Sequence, residues 1–416
     1  MMPVGDGNVD AERAVLAAAS AAGLRAAPAA VPARFEFATA QRIVFGAGTR
    51  SELPALVASF GRRVFWVGGA NPRRQAELLA ALGVVAESLE VFAVSGEPTV
   101  ALVEAGARRA CAAGSTVVVA VGGGSAIDAG KAIAALASNP GDALDYLEVV
   151  GRGRALPNAP LPFVAVPTTA GTGAEVTRNA VLAVPGARVK VSLRSAAMLP
   201  RIALVDPELA LGLPAAVTAA TGMDALVQLI EPYLSCRANP MTDALCRDGI
   251  GRVARALPRA VAEPGNLAAR SELALGALYS GMALANAGLG AVHGFAAPIG
   301  GLYPAPHGAV CAALLAPVLR VNLAALRSRA PQHPVLARMA EVACWITGDA
   351  AATADDAAVF CAALCRSLAI PSLGAWGVRA EDVPTIVEQA AAASSMKGNP
   401  LPLTPAELAA ALDAAL

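Results

Sequence analysis

The chain has 416 residues, enough for two domains with large cores, and 56% of them are hydrophobic while only 4% are aromatic. Its 32 basic residues balance 32 acidic ones without a basic stripe, which argues against nucleic acid as the main ligand. Seven scattered cysteines with no C-x-x-C pair indicate reduced thiols and a cytoplasmic location rather than a disulfide framework.

The first 32 residues differ in composition from the rest and are interpreted as an N-terminal extension. They are rich in alanine and carry Asp6, Asp10 and Glu12, without the basic start and apolar centre of a secretory signal. We expect a loose helix or tail there. From residue 33 to 206, short β-branched runs such as Val64 to Val67 alternate with helical stretches, which predicts an α/β domain.

Three consecutive glycines end one of these apolar runs. The run from Thr116 to Val121 stops at Gly122-Gly123-Gly124 and continues with helical spacing, as a buried parallel strand turning into a helix does. Glycines at such a turn let backbone amides approach a diphosphate, so a dinucleotide fits there. The pattern is neither a P-loop nor the G-x-G-x-x-G fingerprint. A tight turn without a ligand explains the glycines alone equally well.

A second apolar strand leads into a polar loop. The run from Phe163 to Val166 is followed by the hydroxyls of Thr168 and Thr169, with Asn179 further along. Such a loop offers donors and acceptors to phosphate, ribose or the nicotinamide amide. Taken alone, it is an ordinary polar turn.

From residue 207 to 416 nearly everything follows helical spacing, which predicts an all-helical second domain and an active site in the cleft between the two domains. Asp224 and Gln228 are four residues apart, so both can point into one cavity, and His293 and His307 follow in two His-Gly pairs. This set has the form of a divalent-metal site. A helix Asp and a buried His also occur singly as core polar groups.

Residues 273 to 319 contain no Asp, Glu, Lys or Arg, as in a membrane segment. However, Asn286, the two histidines and several prolines interrupt this stretch, so no clean apolar helix of about 20 residues emerges. A buried helix with metal-site loops is the better interpretation, and we expect no membrane partner.

Three motifs in this order resemble the iron-containing (group III) alcohol dehydrogenase family. They are Gly-Gly-Gly-Ser-x-x-Asp-x-x-Lys at 122–131, Pro-Thr-Thr-x-Gly-Thr at 167–172 and Gly-x-Asp-Ala-Leu at 222–226. The resemblance implies a Rossmann-like dinucleotide-binding domain with a parallel sheet, followed by an all-helical metal-binding domain, in the dehydroquinate-synthase-like fold. The cofactor-binding residues that it implies are Gly69, Gly123, Gly124, Ser125, Asp128, Thr168, Thr169, Asn179 and Lys190.

The same resemblance places Asp224, His293 and His307 on the family's catalytic metal ligands, and Gln228 where the family normally has a fourth ligand, a histidine. An amide oxygen binds Fe(II) or Zn(II) less well than an imidazole nitrogen does, so we expect weaker binding or a changed ion. Glycerol dehydrogenases, a related branch, hold zinc with one Asp and two His, so three ligands are workable. Ala297 is a second departure, because many relatives have a histidine there near the proton path.

Cofactor preference has a local clue just after the run that ends at Val67. NADH-using relatives tend to place an acidic residue at the position of Gly69, where a carboxylate would repel a 2′-phosphate. Its absence, with Arg73 and Arg74 nearby, predicts NADP(H) in preference to NAD(H). The alternative is that the two arginines are a solvated helix start.

Together these features predict a metal-dependent alcohol dehydrogenase, or aldehyde or ketone reductase, that transfers hydride between NAD(P)H and a small carbonyl compound. From the family we also expect a homo-oligomer, as a dimer. One alternative, motivated by the weak ligand Gln228, is a metal-independent enzyme that resembles maleylacetate reductases and acts on an anionic substrate. Arg178 and Lys397 are either contacts for an anionic substrate or structural residues. A second is a catalytically inactive nucleotide-binding protein.

Overall fold

The computed structural model describes residues 34–416, of which 36–416 form one compact unit, so the predicted extension at residues 1–32 lies outside the described residues. The strands of the described chain are β1 Arg42–Phe45, β2 Arg63–Gly68, β3 Ser88–Ala93, β4 Val117–Gly122, β5 Phe163–Pro167, β6 Asn179–Val184, β7 Val189–Arg194 and β8 Ile202–Val205. The helices between them are α1 Leu53–Ala58, α2 Ala76–Val85, α3 Val100–Ala112, α4 Gly124–Leu136 and α5 Ala143–Tyr146.

Six strands form one parallel sheet in the order β1-β8-β5-β4-β2-β3, which confirms the predicted α/β domain. Every residue of β4 and β5 is buried, because helices cover both faces of a parallel sheet. Phe65 of β2 belongs to the apolar cluster on the α4 side, and its neighbour Trp66 belongs to the cluster that contains Leu82 of α2. This alternation follows from the two-residue repeat of a strand.

The order of strands reverses between β2 and β4. The chain runs outward from β2 to β3, and then returns to β4 and continues to β5 and β8 on the other side. In open parallel sheets, ligands bind in the crevice at the carboxyl ends of the strands where the order reverses. The sheet topology therefore points to the ends of β2 and β4 as a binding crevice.

Strands β6 and β7 form a separate antiparallel hairpin that the sequence analysis did not predict. The hairpin pairs residues 179–184 with residues 189–194, and it follows the polar loop after β5. Lys190, one of the predicted cofactor residues, lies on its second strand.

The second half of the chain is helical, as predicted. Its helices are α6 Ala215–Leu234, α7 Pro240–Ala262, α8 Leu267–Ala287, α9 Ala291–Leu302, α10 His307–Arg329, α11 Val335–Thr347, α12 Ala354–Ser367, α13 Val383–Ala392 and α14 Pro405–Asp413. They share one large apolar core, which includes Leu226 of α6, Leu257 of α7 and Phe295 of α9.

Helix α10 is long and apolar enough to cross a membrane by length and composition, and α8 with α9 passes the same test as a pair bent by 99°. However, 78% of the apolar window of α10 is buried inside the protein, as in the core helix of a folded domain. The burial agrees with the interpretation of residues 273–319 as core helices and site loops.

Candidate metal centre and dinucleotide crevice

The carboxyl ends of three adjacent strands bring the predicted cofactor residues to one edge of the sheet. Gly68 of β2 is in register with Val121 of β4, and Gly122 of β4 is in register with Pro167 of β5. Gly69, Gly123 and Thr168 each come directly after one of these strands, so they lie side by side at the crevice where the strand order reverses.

The N-terminus of α4 opens toward this crevice without a side-chain cap. The N-cap residue is Gly123, which has no side chain that could cap the amides in the first turn of the helix. A Cβ atom at Gly123 would meet only Thr169, at 3.5 Å, whereas one at Gly124 would lie 2.9 Å from Thr172. The missing side chain at Gly123 therefore leaves room beside the exposed helix amides, and this space and polarity fit a diphosphate.

A buried lysine holds the polar loop after β5 against α4. Lys131 is 1% exposed, and its Nζ donates hydrogen bonds to Ala174 O at 2.9 Å, to Thr177 Oγ1 at 2.9 Å and to Asn179 O. Its Nζ also lies 3.1 Å from Asp128 Oδ1, and Asp128 Oδ2 accepts a hydrogen bond from Val181 N at 3.0 Å.

These contacts give Asp128 a positioning role, because its carboxylate joins the first half of α4 to β6. Burial raises the pKa of Asp128 although Lys131 opposes that shift. A direct contact of Asp128 with the cofactor stays a prediction. Asn179 likewise uses its backbone oxygen to hold Lys131, and its partly exposed side chain belongs to the predicted cofactor groove.

The loop after β5 also contacts the helix that carries Asp224. A Cβ atom at Gly171 would lie 2.7 Å from Thr221 Cβ and 3.0 Å from Thr221 O, so the absence of a side chain permits the close approach. Ser280 Oγ of α8 donates to Gly171 O at 3.3 Å. The dinucleotide crevice is therefore joined to the helical half one turn before Asp224.

Lys190 links the β6–β7 hairpin to a second site helix. Its Nζ lies 3.1 Å from Glu97 Oε1, and a Cβ atom at Gly300 of α9 would lie 3.2 Å from the same Nζ. Gly300 is two helical turns beyond His293 on α9. Lys190 therefore lies between the β6–β7 hairpin and the histidine helix α9, and its contact with the cofactor stays a prediction.

The glutamate in the loop after β5 has an unusual protonation. Glu175 is 3% exposed, and burial raises its pKa from 4.5 to about 7, although its own backbone amide and Lys131 oppose this. A raised pKa means that the folded protein holds this proton more tightly than the unfolded chain does. The resulting stability is complete below pH 4.5 and is lost as the pH rises through about 7.

We therefore expect Glu175→Gln to be more stable than the parent protein at pH 8, by up to roughly 3 kcal/mol, and nearly equal to it at pH 5. Urea unfolding of both proteins at the two pH values measures the difference. Glu388→Gln, on an exposed face of α13, is the matched control. An equal stability difference between the Glu175→Gln and parent proteins at both pH values would contradict the raised pKa.

The metal-site residues predicted from three separate segments lie together in the helical half. Asp224 of α6, His293 of α9 and His307 at the start of α10 converge, with Asp224 Oδ1 3.4 Å from His293 Nε2 and 3.7 Å from His307 Nε2. Asp224 and His293 are buried, whereas the side chain of His307 is 38% exposed. The cluster is thus reachable from one side through His307.

Cys311, which the sequence analysis did not select, completes this cluster. Its Sγ lies 3.7 Å from the Nε2 atoms of both histidines. The ligand atoms of Asp224, His293, His307 and Cys311 all lie within 4.8 Å of one another. The sequence does contain a pattern that could have identified Cys311. It stands four residues after His307 on the same helix face, the spacing that also singled out Asp224 and Gln228.

A second residue missed from the sequence orients His293. Glu231 Oε2 accepts a hydrogen bond from His293 Nδ1 at 2.6 Å, and its Oε1 accepts one from Val292 N at 2.7 Å. Because the carboxylate holds the proton on Nδ1, Nε2 is the ring atom that faces Asp224 and Cys311 and that is available to an ion. Glu231 lies seven residues after Asp224, two turns along α6.

Two buried acceptors in the cluster lack a donor in the described structure. Asp224 Oδ1 and Gln228 Oε1 have no hydrogen-bond partner, although the two residues are 1% and 3% exposed. Buried oxygens without donors are costly unless a cation or water satisfies them. Carboxylate, imidazole and thiol groups around an unsatisfied carboxylate oxygen fit a divalent ion of the first transition row.

The pKa shifts of Asp224, His293 and His307 also show that this cluster favours positive charge. Against the effect of burial, His307 and His293 hold the pKa of Asp224 below its ordinary value. Cys311 first, and Asp224 after it, raise the pKa of His307 to about 9. Burial lowers the pKa of His293, but Cys311, Asp224 and Glu231 together raise it well above its ordinary value.

Close packing explains why a glycine, Gly294 or Gly308, follows each of the two histidines. A Cβ atom at Gly308 would lie 2.2 Å from Ala220 O and 3.3 Å from Asp224 Cβ, so any side chain would push α10 away from α6. At Gly294, a Cβ atom would lie 2.7 Å from Met396. The two His-Gly pairs therefore reflect close packing beside the ligands.

Two family profiles match almost the whole described chain. "Iron-containing alcohol dehydrogenase" matches residues 40–207, and "Fe-containing alcohol dehydrogenase family, C-terminal" matches residues 218–416. Alcohol dehydrogenase 4 of Saccharomyces cerevisiae is 35% identical over 314 residues, 75% of this chain and 79% of that protein.

Other relatives agree with this match. 1,3-Propanediol dehydrogenase of Klebsiella pneumoniae is 47% identical over 209 residues, which are 50% of this chain. The match covers 53% of that relative, so the chain spans about half of its length. A solved structure described as 1,3-propanediol oxidoreductase is 34% identical with a TM-score of 0.84, covering 92% of this chain and 100% of the other.

Proposed function

Because this chain belongs to the iron-containing alcohol dehydrogenase family, we propose that it transfers hydride between a nicotinamide dinucleotide and a small alcohol or carbonyl compound in a metal-dependent reaction. The observation that carries the proposal is the convergence of Asp224, His293 and His307 from three helices around a carboxylate oxygen without a donor. The contact between Gly171 and Thr221 joins this cluster to the glycine crevice.

In this proposal Asp224, His293 and His307 hold a divalent ion. Such an ion supplies Lewis-acid polarisation of the substrate oxygen, while the dinucleotide supplies the hydride. The chain's own residues position both groups. Glu231 fixes the tautomer of His293 through the 2.6 Å hydrogen bond, and the burial of Asp224 keeps water away from its carboxylate.

On the sheet side, the uncapped amides of α4 bind the diphosphate beside Gly123, and Thr168, Thr169 and Asn179 line the path of the nicotinamide half. Lys131 and Asp128 keep that loop against α4. Ala297 is half-buried on α9, so the alkoxide proton leaves through water or another group rather than through a side chain at this position.

Cofactor choice is proposed to favour NADP(H) over NAD(H), with reduction of an aldehyde or ketone as the working direction. A Cβ atom at Gly69 would meet nothing within 4 Å, so the position that would carry a discriminating carboxylate is open space. Arg74 is exposed in the short 3-10 helix Pro72–Gln75, which follows Gly69 closely. The side chain of Arg73, in the same helix, lies outside the described residues.

Gly69→Asp is therefore expected to lower kcat/KM for NADPH roughly tenfold while that for NADH changes little, because a new carboxylate repels the 2′-phosphate. Steady-state kinetics with both cofactors measure the ratio. Gly69→Asn, which has the same shape without the charge, is the matched control. If both variants lose NADPH activity equally, the effect is steric and the proposed preference is wrong.

The activity itself is tested by following NADPH and NADH oxidation with short, aromatic and acidic aldehydes and ketones. We expect turnover with at least one small uncharged carbonyl compound. Turnover confined to a doubly charged, conjugated substrate would favour the maleylacetate-reductase-like alternative, for which the weak ligand Gln228 is the specific observation. Tight NADPH binding without turnover on any compound would instead indicate an inactive nucleotide-binding protein.

A further inference from the structure

Cys311 occupies the position that a fourth metal ligand needs. It lies one helical turn after His307 on α10, and its side chain is buried. Its Sγ is equidistant, at 3.7 Å, from the Nε2 atoms of His293 and His307, which themselves flank Asp224 Oδ1.

Four of the six distances between the ligand atoms lie close to the edges of a tetrahedron around one ion, and the other two are within 4.8 Å. With a Zn–S bond of about 2.3 Å and a Zn–N bond of about 2.0 Å, tetrahedral geometry gives S···N edges of roughly 3.5 Å. Carboxylate ligands at about 2.0 Å give O···N edges of roughly 3.3 Å. The observed S···N separations are 3.7 Å, and the observed O···N separations are 3.4 and 3.7 Å.

Gln228 is the rival candidate for the fourth position, because its Oε1 is buried without a hydrogen-bond partner. Its Nε2 donates a hydrogen bond to Asp224 Oδ2 at 3.0 Å, so the amide holds the carboxylate while Oδ1 faces the imidazoles. A neutral amide oxygen is also a poor ligand for a soft or borderline ion, whereas a thiolate is a strong one.

We propose that Cys311 is a metal ligand, and that Asp224, His293, His307 and Cys311 form a four-ligand site that selects Zn(II) over Fe(II), with Gln228 positioning Asp224. The inference rests on the proposed metal-dependent function. The fourth ligand has thus moved from α6 to α10. On binding, the thiol gives its proton to solvent and its sulfur lone pair to the ion, with no change of oxidation state.

Sulfur strengthens a preference that Zn(II) already has over Fe(II). Thiolate ligands favour zinc and other soft or borderline ions, and Zn(II) stands above Fe(II) in the general affinity order for nitrogen, oxygen and sulfur sites. Zinc also accepts the tetrahedral arrangement that these four groups approach, since it has no geometric preference from its d electrons, and it can expand to five-coordinate to take a substrate oxygen.

The test uses the full-length protein, stripped of metal and reloaded with one equivalent of Zn(II) or Co(II). Zinc X-ray absorption is expected to show one sulfur at about 2.3 Å in addition to nitrogen and oxygen ligands. The cobalt protein is expected to show a sulfur-to-cobalt charge-transfer band in the near ultraviolet. In competition at equal free concentrations, Zn(II) is expected to displace Fe(II).

Cys311→Ala is expected to lose the charge-transfer band and to weaken Zn(II) binding at least about 100-fold. Cys361→Ala, at a buried thiol of α12 in the apolar core, is the control and is expected to keep both. Bound zinc without a sulfur neighbour in the parent protein would overturn the role of Cys311 while leaving the proposed function intact. A parent protein that binds neither ion would overturn the metal-dependent function itself.

Discussion

Asp224→Asn is expected to lower turnover of the carbonyl substrate at least about 1,000-fold and to remove the bound ion. The asparagine keeps the shape of the side chain, but it replaces the buried anionic oxygen Oδ1, which lies 3.4 Å from His293 Nε2 and 3.7 Å from His307 Nε2, by a neutral group. Losing the Lewis acid removes several kcal/mol of transition-state stabilisation, and each 1.4 kcal/mol is a factor of ten. Steady-state turnover and metal content measured on the same preparation check the prediction.

Asp248→Asn is the matched control for this substitution. Asp248 lies on α7, with 47% of its side chain exposed, and pairs with Arg252 at 2.6 Å. Removing one surface ion pair costs little, so this variant is expected to keep its turnover and metal. An Asp224→Asn protein that retains full turnover would contradict the assignment of the metal centre.

Gly123→Ala is expected to weaken binding of the dinucleotide about 100-fold while barely changing thermal stability. The added Cβ atom meets only Thr169, at the ordinary contact distance of 3.5 Å, and the backbone of Gly123 is extended, so the fold accepts alanine there. The methyl group instead fills the space beside the amides of α4, and it blocks their charge-assisted hydrogen bonds to a diphosphate. Fluorescence titration with NADPH and thermal unfolding separate the two effects.

Gly83→Ala provides the control on the same domain. Gly83 is exposed in the interior of α2, and a Cβ atom there would meet nothing within 4 Å. This substitution is expected to leave dinucleotide binding unchanged and to stabilise the helix slightly. Equal dinucleotide affinity of the Gly123→Ala and parent proteins would show that the diphosphate binds elsewhere.

Much of this arrangement could be predicted from the sequence, because it depends on local patterns. The apolar run before Gly122 is short, rich in valine and ended by glycines, which favours a buried strand, and parallel strands place their carboxyl ends at one edge. The chain also has few histidines, so two His-Gly pairs after an Asp at helical spacing were a strong signal. The predicted parallel sheet and helical second domain are both confirmed.

The residues that were missed act through long-range contacts that carry no local pattern. In the sequence, Glu231 looks like an ordinary glutamate on a helix. Its role appears only in the fold, which brings it into contact with His293, 62 residues further along the chain. Lys131 belongs to the glycine motif, but its burial under residues 174–179 depends on contacts with a distant loop. The β6–β7 hairpin likewise depends on tertiary pairing rather than on an unmistakable turn.

Cys311 was overlooked for a different reason. A cysteine in an apolar helix is usually a small core residue, and only the approach of two imidazoles to its Sγ distinguishes it. The i, i+4 spacing from His307 was visible, but the same spacing of Cys361 and Cys365 on α12 leads to no cluster of ligands among the described residues. Spacing alone therefore does not separate ligands from core cysteines.

The metal dependence of the reaction is the central claim, and chelation followed by reconstitution tests it most directly. NADPH oxidation by the purified protein should vanish when the metal is removed, and it should return when Zn(II), Fe(II) or Mn(II) is restored one at a time, with recovery matching one bound ion per chain. Full activity in metal-free protein would contradict the metal-centred account, and it would leave the maleylacetate-reductase-like mechanism in its place.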